Sequence, residues 1–316
     1  SALDFEAAAA ERGLVVAACR SFAEWDAHPQ ARAVAAMPLF SMAQIGDAPP
    51  RELPALAVDA LPLTGLRVLD LTRILAGPVC GRLLAAYGAD VMLVNSPHLP
   101  NIESIANTSR GKLSAHVDLH MNDGRAALMR LLEASHVFVQ GYRPGALASL
   151  GFGPHEAAQR RPGIVYVSLC AYGNDGPWRD RRGFDSLVQT ATGFNLAEAE
   201  AAGTQTPKPM PMQILDYATG HLMAFAAAAA LRRQAIEGGS WHVQVSLAQT
   251  AHWLRAMGRV ADGFAAPPVD RAAYFETVPS GFGELCAIRH SVQLPRTPLR
   301  ETQPSMPPGS HPATWP

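Results

Sequence analysis

Residues 65–95 read GLRVLDLTRILAGPVCGRLLAAYGADVMLVN, and this stretch decides the fold. Its first apolar run, Arg67–Leu71, has the length and composition of a short buried β-strand. A loop and then a helix over about residues 79–87 follow, and a second apolar strand covers Asp90–Val94. A strand, a helix and a strand in such close succession predict one βαβ unit with two parallel strands.

The same alternation continues along the chain. Further strands are predicted at residues 115–119, 136–140 and 164–169, with helices between them at residues 125–134 and 154–160. Strands of about five residues that alternate with helices are typical of a doubly wound, mostly parallel, Rossmann-like α/β sheet. Such a sheet is the fold class that we predict.

Beyond this core, a helix is predicted over residues 183–193 and a long helix from Asp216 to about Ala235, ended by Gly238 and Gly239. Residues 241–247 alternate as a strand, and residues 249–260 are helical in pattern. These elements complete a large domain that we place at residues 61–260.

The flanking segments have a different character. Residues 3–36 are predicted to form helices, and a proline-rich linker follows, so residues 1–60 form a helical segment with a linker. Seven prolines lie between Pro295 and Pro316, a density that excludes regular helix and inner strand. Residues 261–316 are therefore predicted to form an extended C-terminal tail.

Composition excludes several classes of protein. The 316 residues are 48% hydrophobic and 17% charged, so the chain can bury a core and is not disordered. The formal net charge of −1 argues against a general nucleic-acid binder, although a few local cations could still hold a small anionic ligand.

The cysteines and the apolar runs indicate a cytoplasmic protein without a metal site. The four cysteines are far apart, with no CxxC pair, which argues against a zinc site or a disulfide framework and favours free thiols in a reducing cytosol. The longest apolar run, Leu222–Leu231, is too short to span a membrane and indicates a buried helix. The first residues of the sequence do not show the basic and then apolar pattern of a signal peptide.

Candidate ligand-binding residues lie in the loops that follow the strands, where α/β sheets bind their ligands. Five cations lie in or near these loops and could either bind phosphates or be solvated at the surface: Arg73, Arg110, Lys112, Arg143 and Arg182. No GxGxxG or GxxxxGK[ST] motif is present, so a nicotinamide-dependent dehydrogenase or a P-loop enzyme is poorly supported.

Asp216 is the most suggestive carboxylate. It stands directly before the long helix, at an N-cap position, where the helix dipole and free N–H groups would keep it ionised. An ionised, desolvated carboxylate can attack a thioester or a phosphoryl group, but most such residues only cap their helix. Asp185 has the same two interpretations as an acidic residue in a first helical turn.

Motifs in one fixed order give the sequence a family resemblance. They begin with residues 65–73 and 76–78, and continue with residues 87–91, 110–112, 141–145, 150–154, 172–177, 183–185 with Gln189, 216–220 and 238–241. In this order they resemble class III CoA-transferases, which include formyl-CoA transferase, carnitine CoA-transferase and α-methylacyl-CoA racemase. The resemblance covers about residues 63–255.

The resemblance implies a mechanism. In these transferases the aspartate that corresponds to Asp216 attacks an acyl-CoA thioester and forms an aspartyl-acyl anhydride. The CoA thiolate returns to give an aspartyl-CoA thioester, and an acceptor carboxylate then takes the CoA. Phe184 stands where the racemase branch has histidine, and because phenylalanine cannot exchange a proton, racemisation is disfavoured.

The resemblance also implies which residues contact CoA, and at some of these positions the sequence differs from the family pattern. By position, these residues are Arg73, Leu75, Ala76, Asn95, Ser96, Lys112, Gly141, Tyr142, Arg143, Arg182 and Asp185. Asn95 and Ser96 stand where many members have an acidic and then a basic residue. Leu75 replaces a glutamine of formyl-CoA transferase.

The order of segments departs from the family as well. Residues 1–60 resemble the C-terminal part of family members, and the small domain expected after about residue 260 is missing or very short.

Family members form interlocked dimers, so we expect a homodimer. We expect a cytoplasmic CoA-transferase (EC 2.8.3.-) that uses acyl-CoA and a small carboxylic acid, with no metal, redox cofactor, nucleic acid or membrane. The alternatives are a CoA-thioester hydrolase or lyase at the same aspartate, and a non-catalytic partner subunit or scaffold.

Overall fold

The structure is a computed structural model that describes residues 1–292 and 294–316. The α-helices are α1 Ala2–Glu11, α2 Phe22–Ala27, α3 Pro29–Ala36, α4 Ala76–Ala86, α5 Ile105–Thr108, α6 Asn122–Glu133, α7 Pro154–Arg160, α8 Asp185–Ala191, α9 Phe194–Ala201, α10 Ile214–Glu237 and α11 Leu247–Ala256. The strands are β1 Ser41–Gly46, β2 Arg67–Leu71, β3 Asp90–Asn95, β4 Lys112–His116, β5 Val137–Gln140, β6 Val165–Cys170, β7 Ser240–Ser246, β8 Phe275–Ser280 and β9 Gly283–Ile288.

The first seven strands form one sheet in the order β1-β7-β6-β5-β2-β3-β4. Strand β2 pairs in parallel with β3 on one side and β5 on the other, so that Leu69 stands opposite Met92 and Phe138. Strands β4 and β6 extend the parallel sheet outward. The predicted doubly wound α/β sheet is confirmed, and its strand order reverses direction at β2 and β5, where such sheets bind ligands.

Apolar side chains on both faces explain why these runs are strands. Leu69, Met92 and Phe138 are fully buried at neighbouring positions of the sheet, and Leu128 and Leu132 of α6 pack in the same cluster. Full burial of each such side chain contributes roughly 1.5–3 kcal/mol, so the continuous apolar runs stabilise the sheet in this register.

The chain forms two compact units. The first contains residues 1–41, 169–219 and 244–269, and the second contains residues 42–168, 220–243 and 270–316. The division runs through β6, β7 and α10, whereas the sequence predicts boundaries near residues 60 and 260. The three predicted segments therefore remain a prediction.

In the first unit, the N-terminal segment is helical, as predicted. Ser1 and Ser21 cap α1 and α2, and in each case an acidic residue three positions later completes a capping box. A buried ion pair joins Glu6 to Arg20, whose Nη2 lies 2.5 Å from the Glu6 Oε2. The guanidinium of Arg181 lies 4.2 Å from the Trp178 ring centroid.

Strand β4 and helix α9 are among the elements that differ from the prediction. Strand β4 covers Lys112–His116 instead of residues 115–119, because its first residue is a fully buried lysine that an apolar pattern does not recognise. Helix α9, Phe194–Ala201, was not predicted, because the predicted helix ended at residue 193 and the next one began at Asp216. Gly193 has φ 101°, a left-handed conformation that separates α8 from α9.

The tail is only partly extended, which corrects the prediction. Residues 275–288 form an antiparallel hairpin of β8 and β9 in the second unit. In the described part of the chain after Ile288 no helix or strand occurs, as the proline density predicts. Backbone hydrogen bonds nevertheless fix this last stretch to the sheet, because His311 N donates to Ser114 O at 2.8 Å and Gly111 N to Gln303 O at 3.0 Å.

Helix α10 is the one described helix that is long and apolar enough to cross a membrane by length and composition. Its most apolar window is 56% buried within the protein. The core helices of soluble proteins share these properties, so the helix carries no argument for a membrane.

Candidate active site

Two buried carboxyl groups lie together in the first unit. Asp185 is the first residue of α8 and is completely buried, and Asp216 is the third residue of α10 and is 8% exposed. Asp216 therefore lies inside the first turn of its helix, whereas the sequence predicted an N-cap position. Both carboxyl groups face the N-terminal end of a helix dipole, which favours negative charge.

A backbone hydrogen bond joins the two acids. The N–H of Asp216 donates to Oδ2 of Asp185 at 2.8 Å, so the buried side chain of one acid positions the backbone of the other. The other carboxylate oxygen of Asp185 accepts a short hydrogen bond from the Gln189 amide. Gln189 in turn accepts from Met210 N at 3.0 Å, which fixes the loop before α10.

Burial and like charge control the ionisation of Asp216. Burial, and to a smaller extent the charge of the neighbouring Asp185 carboxylate, together raise the pKa of Asp216 to about 7. Burial also raises the pKa of Asp185, although hydrogen bonds from the Asp216 N–H and Gln189 oppose this. The sequence predicted that the helix dipole and free N–H groups would keep Asp216 ionised, and this prediction did not take the effect of burial on its pKa into account.

This arrangement suits a nucleophile or a proton-transfer group. A carboxyl with a pKa of about 7 is partly ionised at neutral pH, and a desolvated carboxylate is a better nucleophile than one in water. Phe184, directly before Asp185, is 43% exposed and carries no titratable group. Arg182 is exposed, and its Nη1 donates to Gly13 O at 3.2 Å.

In the second unit, the loop after β2 has a strained backbone. Ile74 has φ 72°, a left-handed conformation that is costly for a β-branched residue, and such outliers concentrate at functional sites. One Nη of Arg73 donates to Pro100 O, and the Arg73 Nε is buried with no hydrogen-bond partner among the described residues. Leu75 and Ala76 are buried at the start of α4.

The predicted residues after β3 and β5 lie at the same carboxyl edge of the sheet. Asn95 is buried, and its Nδ2 donates to Ser114 Oγ at 3.1 Å, whereas Ser96 is only half-buried. Burial raises the pKa of Tyr142, while the nearby Arg73 guanidinium opposes the increase. Tyr142 and Arg73 thus follow the adjacent strands β5 and β2 at the strand-order reversal, and Gly141 and Arg143 are exposed beside Tyr142.

Lys112 departs from its predicted role. Its side chain is fully buried, and its Nζ donates to Asp70 Oδ2 and to Pro78 O, both at 2.8 Å. Asp70 also accepts from Thr72 N at 3.0 Å. The ammonium group is therefore engaged with the β2–α4 segment and does not face a ligand phosphate.

Sequence reasoning missed Asp70 and Ile74. A charged residue inside an otherwise apolar strand was the available signal for Asp70, because a buried carboxylate needs a partner. No pattern in a single sequence predicts the left-handed backbone of Ile74. Within residues 1–292 and 294–316, no group of three or more His, Cys, Asp or Glu side chains could hold a metal ion.

Comparison with known proteins identifies the family. The sequence model of CoA-transferase family III matches residues 63–282, which includes both buried aspartates and the loops after β2, β3 and β5. The chain belongs to CoA-transferase family III.

Two members of the family resemble this chain over more than half of its length. "Probable fatty acyl-CoA transferase Rv3272" of Mycobacterium tuberculosis is 35% identical over 211 residues, which are 62% of this chain and 53% of that protein. "Succinate--glutarate CoA-transferase" of Agrobacterium fabrum is 31% identical over 205 residues, covering 59% and 51% of the two chains.

Solved structures of family members share the fold. A crystal structure of Rv3272 has a TM-score of 0.55 at 34% identity, and covers 63% of this chain and 58% of that one. A CAIB/BAIF family protein from Brucella suis has a TM-score of 0.56 at 26% identity, and covers 71% and 65%. The chain spans about half the length of the curated relatives named above.

Proposed function

We propose that the protein transfers CoA between carboxylic acids, with Asp216 as the nucleophile. The observation that carries this proposal is the buried position of Asp216 in the first turn of α10, with a pKa of about 7 and a backbone hydrogen bond to Asp185. The relatives are named CoA-transferases, which supports the same reaction class.

The proposed reaction proceeds in two exchanges. An Asp216 carboxylate oxygen attacks the thioester carbonyl carbon of the donor. The C–S bond then breaks, CoA leaves as a thiolate, and the aspartyl-acyl anhydride remains on the protein. The thiolate then attacks the Asp216 carbonyl carbon, which releases the donor carboxylate and leaves an aspartyl-CoA thioester. The acceptor carboxylate next attacks the carbonyl carbon of the aspartyl-CoA thioester and releases CoA as a thiolate, which leaves a second anhydride. The thiolate then attacks the acceptor's carbonyl carbon, so that the acceptor leaves as its CoA thioester and Asp216 returns as a carboxylate.

Asp185 acts in this proposal as a positioning residue. It fixes the Asp216 backbone through the 2.8 Å hydrogen bond, and its charge raises the energy of the Asp216 carboxylate before attack. Once Asp216 is acylated, its negative charge is lost and the repulsion from Asp185 disappears. The pair therefore favours the neutral covalent intermediates over the free carboxylate.

The remaining predicted site residues are proposed CoA contacts. They are Arg73, Leu75, Ala76, Asn95, Ser96, Gly141, Tyr142, Arg143 and Arg182. Arg73 is the most specific of them, because its buried Nε has no partner among the described residues and a phosphate or carbonyl oxygen would satisfy it. A homodimer and a cytoplasmic location are further parts of the proposal.

The test compares Asp216→Asn with an exposed control, Asp180→Asn. Purified protein is supplied with succinyl-, acetyl- and longer acyl-CoAs together with several acceptor acids, and new acyl-CoA is measured by mass spectrometry. We expect Asp216→Asn to lose at least about 10³-fold in kcat with retained folding, since the nucleophile is gone, and Asp180→Asn to retain full activity. Full activity of Asp216→Asn would overturn the mechanism.

A non-catalytic subunit is the alternative that one observation favours. The lysine expected to contact CoA is instead fully buried against Asp70. If no acyl-CoA binds and no donor supports turnover, while the protein is folded, this alternative replaces the transferase.

A further inference from the structure

A second basic cluster lies at the amino edge of the parallel sheet, away from the proposed CoA contacts. Arg67 is the first residue of β2, His136 directly precedes β5, and Arg161 lies just before β6. Arg51 joins them, because its Nη2 donates to Pro162 O at 3.2 Å. Since the strands are parallel and about five residues long, this edge lies roughly 15 Å from the loops that follow them.

No acidic side chain balances the charges of these three arginines. In the described chain, no Asp or Glu forms an ion pair with Arg51, Arg67 or Arg161. Asp90 stands opposite Arg67 in the register of β2 and β3, but it is exposed and does not pair with it. Partly buried guanidinium groups without a carboxylate are costly, which favours an external anion.

The electrostatic environment of His136 shows that the cluster converges. Burial, and after it the charges of Arg161, Arg51 and Arg67 in that order, together lower the pKa of His136 to about 4. Burial also lowers the pKa of Arg161, with an added contribution from Arg51. His136 is therefore neutral at physiological pH, and the positive charge belongs to the arginines.

Most of the donors in the cluster have no hydrogen-bond partner among the residues that the structure describes. Arg161 donates through Nε to Ser135 O at 2.8 Å, and Arg51 donates through Nη2 to Pro162 O. A guanidinium has five N–H donors, so each keeps several. His136 accepts from Arg67 N at its Nδ1, at 3.0 Å, which places the imidazole proton on Nε2 as one more donor.

The backbone at Gly163, which has φ 87°, lies close against two side chains of this cluster. A Cβ at this position would lie 3.1 Å from Gln234 Nε2 and 3.5 Å from Arg51 Nη2. Gln234 is buried and adds an amide group next to the guanidinium. Arg67 contributes charge but fewer donors, since its Nη2 donates to Pro316 O at 3.1 Å and its guanidinium lies over the Trp315 ring.

We propose that Arg51, Arg161 and His136 form a binding site for a phosphate group at the amino edge of the sheet. Two forked guanidinium groups and a neutral imidazole N–H match the several acceptor oxygens of a phosphate. Free phosphate and the phosphate of a nucleotide share this chemistry. The site does not depend on the proposed transferase activity.

The test follows His136 by NMR in ¹³C-histidine-labelled protein, with His136→Gln to assign its signal. Inorganic phosphate and adenosine 5′-monophosphate are titrated separately at low ionic strength. We expect a saturable shift of the His136 signal with at least one of them, and saturation by the nucleotide alone would identify the nucleotide as the ligand. Arg51→Gln or Arg161→Gln should weaken binding about 5-fold or more, because each removes a charged donor pair.

Matched variants keep the result interpretable. Arg51→Lys retains the charge and should weaken binding less than Arg51→Gln, and the exposed Arg179→Gln should leave it unchanged. The proposal is overturned if the His136 signal does not shift up to roughly 50 mM of either anion, where screening is strong. Equal weakening by Arg179→Gln and Arg51→Gln would also overturn it, because binding would then be a nonspecific charge effect.

Discussion

The chemistry of a single residue, Asp216, follows from its burial beside a second acid. An exposed aspartate in a first helical turn would be ionised at neutral pH and weakly nucleophilic because water solvates it. Burial next to Asp185 removes that water and raises the pKa of Asp216 to about 7. Two measurements at the residue scale follow from this shift.

The first concerns the pH dependence of transfer. Since only the carboxylate form of Asp216 attacks, kcat/KM should rise with pH and level off above an apparent pKa near 7. Asp185→Asn retains an oxygen that can accept the Asp216 N–H but removes the neighbouring charge, so the rising limb should move to lower pH. A limb at the same pH in both proteins, measured with one acyl-CoA donor, would contradict the role of Asp185.

The second concerns stability. The folded-state pKa of Asp216, about 7, lies above its ordinary value of 3.8, so between these values the folded state binds more protons than the unfolded state. Stability from this group is therefore present below about pH 4 and is lost as pH rises through 7. Asp216→Asn removes the titrating group and with it this loss of stability at high pH. The melting temperature should therefore rise by several °C at pH 8, at about 2–4 °C per kcal/mol, and by much less at pH 5. An equal effect at both pH values would contradict the burial argument.

At the scale of elements, the β2–α4 segment depends on the buried pair of Lys112 and Asp70. Gly81 is required beside it, because a Cβ there would lie 2.2 Å from Asp70 Oδ2. Thr72, two residues before the left-handed Ile74, also donates to Asp70. A strained residue of this kind costs roughly 1–3 kcal/mol and persists only where its surroundings fix it.

A double-mutant cycle tests this dependence. Lys112→Met alone leaves a buried carboxylate without its cation and should lower the free energy of unfolding by about 3–5 kcal/mol. Asp70→Asn combined with Lys112→Met removes both charges and should recover most of that loss. Additive destabilisation in urea unfolding would show that the two groups do not act as a pair.

The sequence predicted the elements where one physical signal dominates. Continuous apolar runs predicted buried parallel strands, and Val137–Gln140 is one that the structure confirms. Gly238 and Gly239 predicted the end of α10, which ends at Glu237. It failed where tertiary contacts override the pattern. Lys112 opens β4 only because Asp70 neutralises it, and the pairing of Asp185 with Asp216 joins residues 31 positions apart.

At the scale of the whole molecule, the proline-rich end of the chain is part of the second unit's core. Trp315 packs on the apolar cluster around Leu131, and its Nε1 donates to Leu131 O at 3.0 Å. Arg110 also joins the hairpin and the last stretch, through Glu276 Oε1 at 2.5 Å and Glu301 Oε2 at 2.7 Å. The last residues are thus held by apolar, backbone and ionic contacts together.

Removal of the Trp315 side chain measures the contribution of this stretch. Trp315→Ala should destabilise the protein by about 2 kcal/mol, because the ring is half-buried rather than fully enclosed. The exposed neighbour Thr314→Ala should change the free energy of unfolding by less than about 0.5 kcal/mol. Equal stability of the two variants in chemical denaturation would mean that the end of the chain is not fixed to the core.

The central claim is that Asp216 becomes covalently attached during transfer, and trapping tests it most directly. Protein is incubated with an acyl-CoA donor, quenched with hydroxylamine and digested, and the peptide containing Asp216 is examined by mass spectrometry. We expect an aspartyl hydroxamate at Asp216 that requires the donor and is absent from Asp216→Asn. Turnover with no donor-dependent modification of Asp216, or modification of another carboxyl group, would contradict it.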